Sequence, residues 1–73
     1  MPGLSTRERA YLALTADVAQ QTLGDSFRVH VRLAHKNGAN PEEIRDVVRF
    51  LAECGIAKAA AALRELDTIL EAI

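Results

Sequence analysis

Among the side chains whose types suit chemistry near neutral pH, three stand out: His30, Cys54 and, beside the cysteine, Glu53. His30 lies in the run F-R-V-H-V-R-L-A, Phe27 to Ala34, with Arg28 and Arg32 on either side. Phe27, His30, Val31 and Ala34 recur at i, i+3, i+4 and i+7, so the histidine rides on an apolar helical stripe. Burial and nearby cations both favour a neutral imidazole, which can accept a proton close to physiological pH. That suits an acid–base task on an anionic substrate. A packed core histidine fits the same stripe. The arginines read equally as a solvated face shared with Lys36, one reaching inward while the other stays wet.

The other candidates are weaker. Cys54 precedes Gly55 at a helix end, and the negative end of a helix disfavours a thiolate. A buried, unreactive thiol is therefore expected. Glu53 reads as a general base or pocket carboxylate, or as an ion-pair partner for Arg49 one turn earlier. His35 is five residues from His30 and falls on the polar side of the same helix. A two-histidine metal site would need i, i+4 spacing, so no metal site is expected.

Four helices position these groups. The first is capped by Ser5 with Glu8 three residues on, a capping-box pattern, and runs to about Gln21. Its segment Ala10 to Leu14 is apolar all round, which predicts contacts on more than one side. After a turn at Gly24, Asp25 and Ser26, the second helix runs from about Phe27 to Asn37, and Gly38 supplies a left-handed C′ residue. Asn40 caps the third helix, with Pro41 in its first position and Glu42 and Glu43 at its positive end. Its buried stripe is Ile44, Val47, Val48 and Leu51, extending to Cys54. Gly55 breaks it. The fourth helix runs from about Ala57 to the end, burying Ala59, Ala60, Leu63, Leu66, Leu70 and Ile73, with four consecutive alanines that let another helix approach closely. The expected fold is all-α, one helical domain over residues 1–73.

The chain is short for such a fold. Seventy-three residues bury only about 60% of their unfolded surface. The apolar share is 49%, but thirteen of those residues are alanine, and no disulfide or metal adds stability. Homo-oligomerisation is the expected remedy. A net charge of −1 gives no footprint for nucleic acid or an anionic membrane. The single cysteine suits a reducing compartment, and no apolar run reads as a signal peptide or membrane span, so the expected location is cytoplasmic. Ala34, Gly38 and Ile44 do carry the spacing of a helix-turn-helix. The recognition helix would then present Glu42 and Glu43 to DNA, which repels them.

Taken together, the motifs resemble the carboxymuconolactone decarboxylase family, which includes the alkylhydroperoxidase D-like thiol peroxidases. The resemblance covers Pro2-Gly3-Leu4 to about Leu70 and is the C-terminal part of that fold. It is carried by Phe27 to Ala34, the turn Asn37-Gly38-Ala39, the helix start Pro41-Glu42-Glu43-Ile44, and Cys54-Gly55-Ile56 followed by small residues. The peroxidases' Cys-x-x-Cys falls at Leu23 and Ser26, so the resemblance does not extend to dithiol chemistry. Glu53 stands where the decarboxylases have tyrosine, and Ala57 and Ala60 where they have proline and asparagine.

What the resemblance implies is a cofactor-independent decarboxylase acting on a small unsaturated carboxylactone-type acid. Its conjugated ring would hold the electrons left as carbon dioxide departs. His30 would be the general acid/base, Arg28 or Arg32 would bind carboxylate, and Glu53 would line the substrate pocket. The site would lie between helices or subunits of a homo-oligomer. The alternative is a non-catalytic oligomerisation or partner-binding module of the same fold.

Overall fold

The computed structural model describes residues 3–73; Pro2, at the start of the resemblance, lies outside them. Helix α1 spans Thr6–Gln20, α2 Asp25–Lys36, α3 Pro41–Phe50 and α4 Ile56–Glu71, with a 3-10 turn over Leu51–Cys54 between the last two. The described residues form no strand, and the all-α expectation holds.

Both predicted N-terminal signals close as capping boxes. Ser5 Oγ accepts from the Glu8 backbone N–H (3.1 Å) while Ser5 N–H donates to Glu8 Oε1 (2.8 Å). The Ser5 backbone N–H, and after it the Ser5 hydroxyl, hold the Glu8 carboxyl below its ordinary value. Asn40 and Glu43 repeat the exchange at α3, with Pro41 in the first turn. At the end of α2, Gly38 takes φ 102°. Its N–H then donates to the His35 carbonyl (3.2 Å) and that of Ala39 to the Ala34 carbonyl (3.0 Å). This is the Schellman geometry that a C′ glycine permits.

One apolar core joins the elements. Ala10, Leu14 and Val18 of α1 meet Phe27, Val31 and Ala34 of α2, Ile44 and Val48 of α3, Leu51, and Ala62, Leu66 and Ile69 of α4. Phe27, Leu14, Ile44 and Leu66 are the largest side chains wholly withdrawn from water. Each such burial stabilises the fold by roughly 1.5–3 kcal/mol before entropy is charged against it.

Several boundaries and faces differ from expectation. Helix α2 begins at Asp25, two residues early, so Asp25 and Ser26 form its first turn. The Ala10–Leu14 segment buries one face only, since Leu12 is exposed. The stripe of α4 is rotated: Ala59, Ala62, Leu66 and Ile69 are buried, Ala60, Leu63 and Leu70 are half-buried, and Ile73 is exposed. The third helix tightens to 3-10 winding after Phe50. That change of winding turns Cys54 away from the core, and it is exposed rather than buried.

Candidate functional site

The site is set by how α1 ends. Gln21 adopts the left-handed conformation (φ 60°, ψ 32°), unusual for a residue with a side chain. The chain then doubles back. The Gln21 N–H donates to the Val18 carbonyl (3.1 Å) and the Thr22 N–H to the Asp17 carbonyl (2.9 Å), a second Schellman turn, closed without glycine. Two further contacts tie this turn to the start of α4. Gln21 Nε2 donates to the carbonyls of Val18 (2.7 Å) and Lys58 (3.2 Å), and Lys58 Nζ donates to the Ala19 carbonyl (2.9 Å).

Doubling back gathers three polar side chains around a buried carboxylate. Asp17, 5% exposed, is the one charged residue buried among the described residues. Thr22 Oγ1 donates to its Oδ1 at 2.7 Å, and Ser26 Oγ donates to the same atom at 2.8 Å. His30 Nδ1 lies 2.7 Å from Oδ2. Burial pushes the Asp17 carboxyl up, but the bonds from Thr22, His30 and Ser26 and the attraction of His30 outweigh it. The carboxyl ends below its ordinary value.

An ionised carboxylate only accepts, so Nδ1 of His30 carries the proton in this bond. The neutral imidazole then keeps its lone pair on Nε2, the atom a general base uses. Nε2 has no hydrogen-bond partner among the described residues, and none of their buried side-chain polar atoms lacks one. The ring, with about a third of its surface open, therefore presents that edge to solvent. An imidazole held by a buried carboxylate at Nδ1 and open at Nε2 can take a proton and give it back.

The remaining candidates are not brought to this point. A helix advances roughly 100° per residue, so two residues on either side of His30 point about 160° away from it. Arg28 and Arg32 hold those positions on α2. Arg28 is engaged with Asp25 at 2.7 Å, and Arg32 is exposed, with no ion pair among the described residues. Glu53 is exposed on the 3-10 turn and does not pair with Arg49, which instead holds Glu42 (2.7 Å) and Asp46 (2.9 Å). His35 is exposed. Among the described residues no trio of potential metal ligands assembles, and no enclosed cavity forms.

Asp17, Thr22 and Ser26 had no mark in the sequence as site residues. Asp17 is thirteen positions from His30 and looks like any polar residue near a helix end. The one available signal was period: Ala10, Leu14, Asp17 and Val18 share a stripe, and an aspartate on an apolar stripe needs partners.

A scan against known protein families matches residues 1–68 to the carboxymuconolactone decarboxylase family. No curated protein and no solved structure matches the chain.

Proposed function

The chain belongs to the carboxymuconolactone decarboxylase family, and from that premise we propose that it is a cofactor-independent acid–base enzyme of the decarboxylase type, with His30 as its general acid/base. The observation that carries the reading is the bond between buried Asp17 and His30 Nδ1, with Nε2 open. The substrate class is a small unsaturated carboxylactone-type acid. Loss of carbon dioxide breaks one carbon–carbon bond and leaves its electron pair in the conjugated ring. Protonated His30 delivers a proton to a ring carbon, and solvent restores it. Asp17 steadies the imidazolium from which the proton is delivered.

Carboxylate binding by Arg28 or Arg32, and the pocket role of Glu53, belong to the same proposal. Both arginines leave α2 on the side away from His30, so they serve a neighbouring copy's site in a cytoplasmic homo-oligomer. The exposed apolar side chains Val29 (59%) and Leu33, next to His30 on α2, suit such a contact.

Purified protein with carboxymuconolactone, followed by ultraviolet absorbance, should turn over, and His30→Ala should abolish the signal. Mixing His30→Ala with Arg32→Ala chains should restore part of it if the site is shared between copies. No turnover by the parent protein sinks the enzymatic reading. The open, unenclosed face around His30 favours a second reading, a non-catalytic oligomerisation or partner-binding module. Assembly by native mass without turnover is its signature.

No helix among the described residues is long and apolar enough to cross a membrane.

A further inference from the structure

The two oxygens of Asp17 are used unequally. Oδ1 accepts both hydroxyls, from Thr22 (2.7 Å) and from Ser26 (2.8 Å), while Oδ2 meets only His30 Nδ1 (2.7 Å) among the described residues. The two donors arrive from different elements. Ser26 belongs to the first turn of α2, one helical turn before His30. Thr22 belongs to the turn after α1 and reaches Asp17 because Gln21 accepts a left-handed backbone. That conformation strains a residue with a side chain, where glycine would take it freely.

We propose that Thr22 and Ser26 are positioning residues of the His30 site: by both donating to Asp17 Oδ1 they reserve Oδ2 for the imidazole and keep it aimed at Nδ1. The inference rests on the acid–base reading of His30. A carboxylate held at one oxygen from two directions cannot rotate about its Cβ–Cγ bond, so its second oxygen keeps one aim. The hydroxyls also leave Asp17 no reason to take up a proton in its buried place. Neither hydroxyl touches the imidazole among the described residues; both act through Asp17.

The unequal use of the oxygens makes Asp17→Asn a sharp probe. Two hydroxyl donors call for the amide carbonyl at the Oδ1 place, which puts the amide NH2 against His30 Nδ1. The imidazole must then accept there and move its proton to Nε2. Nitrogen-15 NMR of the His30 ring, at alkaline pH where the imidazole is neutral, reads this directly. The parent should show the Nδ1–H tautomer and Asp17→Asn the inverted one. Adding Thr22→Val and Ser26→Ala to Asp17→Asn should free the amide to flip and give mixed tautomers, whereas adding Thr22→Ser and Ser26→Thr instead should keep the inverted signal. Circular dichroism checks the fold of each variant. If that triple variant unfolds, Thr22→Val and Ser26→Ala are each combined singly with Asp17→Asn and read the same way, each with a partial loss of the inverted signal.

The proposal is overturned if Asp17→Asn keeps the Nδ1–H tautomer, or if removing the hydroxyls from Asp17→Asn leaves its inverted tautomer intact. The readout needs no substrate. Correct tautomers without turnover would refute the acid–base enzyme and leave the positioning roles standing, while unchanged tautomers refute the positioning roles whatever the turnover.

Discussion

The molecule carries two reactive side chain types near helix ends, and their surroundings are opposite. His30 sits against the end of α1, where a left-handed residue folds the chain back and three polar partners converge on a buried carboxylate. Cys54 sits at the end of the 3-10 turn, exposed, between Phe50 (68% exposed) and Ile56 (77% exposed). There α4 starts from Gly55 without any side-chain cap. At the first place a buried carboxylate has both oxygens partnered and the imidazole is held at Nδ1; at the second, apolar groups are left in water and nothing binds the thiol among the described residues. A residue capable of chemistry becomes a candidate site only where its neighbours fix its orientation and its proton.

The comparison breaks most visibly at Asp17. Asp17→Ala strands two hydroxyls and an imidazole, and should cost about 2–3 kcal/mol in urea unfolding. In a domain of this size that corresponds to a fall in Tm of about 4–8 °C per kcal/mol. An unchanged midpoint would mean that the cluster is not held together in solution.

Acid should remove part of the same contribution in the parent protein. Folded Asp17 binds its proton more weakly than the unfolded chain does. Its stabilisation is therefore complete above the unfolded carboxylate pKa, about 3.9, and is lost as the pH falls through the lower folded value. Urea midpoints taken from about pH 6 to about pH 2 should fall less steeply for Asp17→Asn than for the parent. Parallel profiles would show that Asp17 titrates alike in both states.

A smaller effect is expected at the turn. Gln21→Val puts a β-branched side chain in the left-handed region and removes the bonds to Val18 and Lys58. It should cost about 1–2 kcal/mol in the same unfolding measurement. Gln21→Gly exchanges relief of strain for loss of those bonds and should be near neutral. If the valine variant is also neutral, the backbone at Gln21 is free to leave this conformation.

Cys54 marks the lower end of the scale. Cys54→Ser should change stability by less than about 0.5 kcal/mol, because the thiol supports no packing. In the folded parent the thiol should react with a chromogenic disulfide reagent as fast as a small-molecule thiol of like pKa. Protection from that reagent would restore the buried cysteine that the sequence suggested.

The reasons for the sequence's successes and failures are local and tertiary respectively. Ser5 with Glu8 is a complete signal within four residues and closed as read, and Asn40 with Pro41 opened α3 as read, with Glu43 adding the reciprocal bond of a capping box. Gly38 was equally legible, since few other residues take φ 102° without strain. The face of α4 was misread because period alone does not choose among neighbouring alanines; the helix packed against α3 and the 3-10 turn does. Cys54 was misread because its burial assumed that α-helical winding continued past Phe50. The placing of Arg28 and Arg32 away from His30 was available in the helical period.

The sequence by itself determined the all-α class, the caps and the family, and it singled out His30 as a candidate, because each depends on spacings that recur along a helix or on an ordered set of motifs. Only the tertiary structure decided that Asp17 is the partner of His30 and that Thr22 and Ser26 hold Asp17. Those contacts depend on α1 ending in a turn that brings residues from two helices within 3 Å of one another. Each residue in that set reads alone as an ordinary polar side chain. A buried carboxylate is tolerable only when its partners are all in place, and the arrangement of partners is a property of the packed helices.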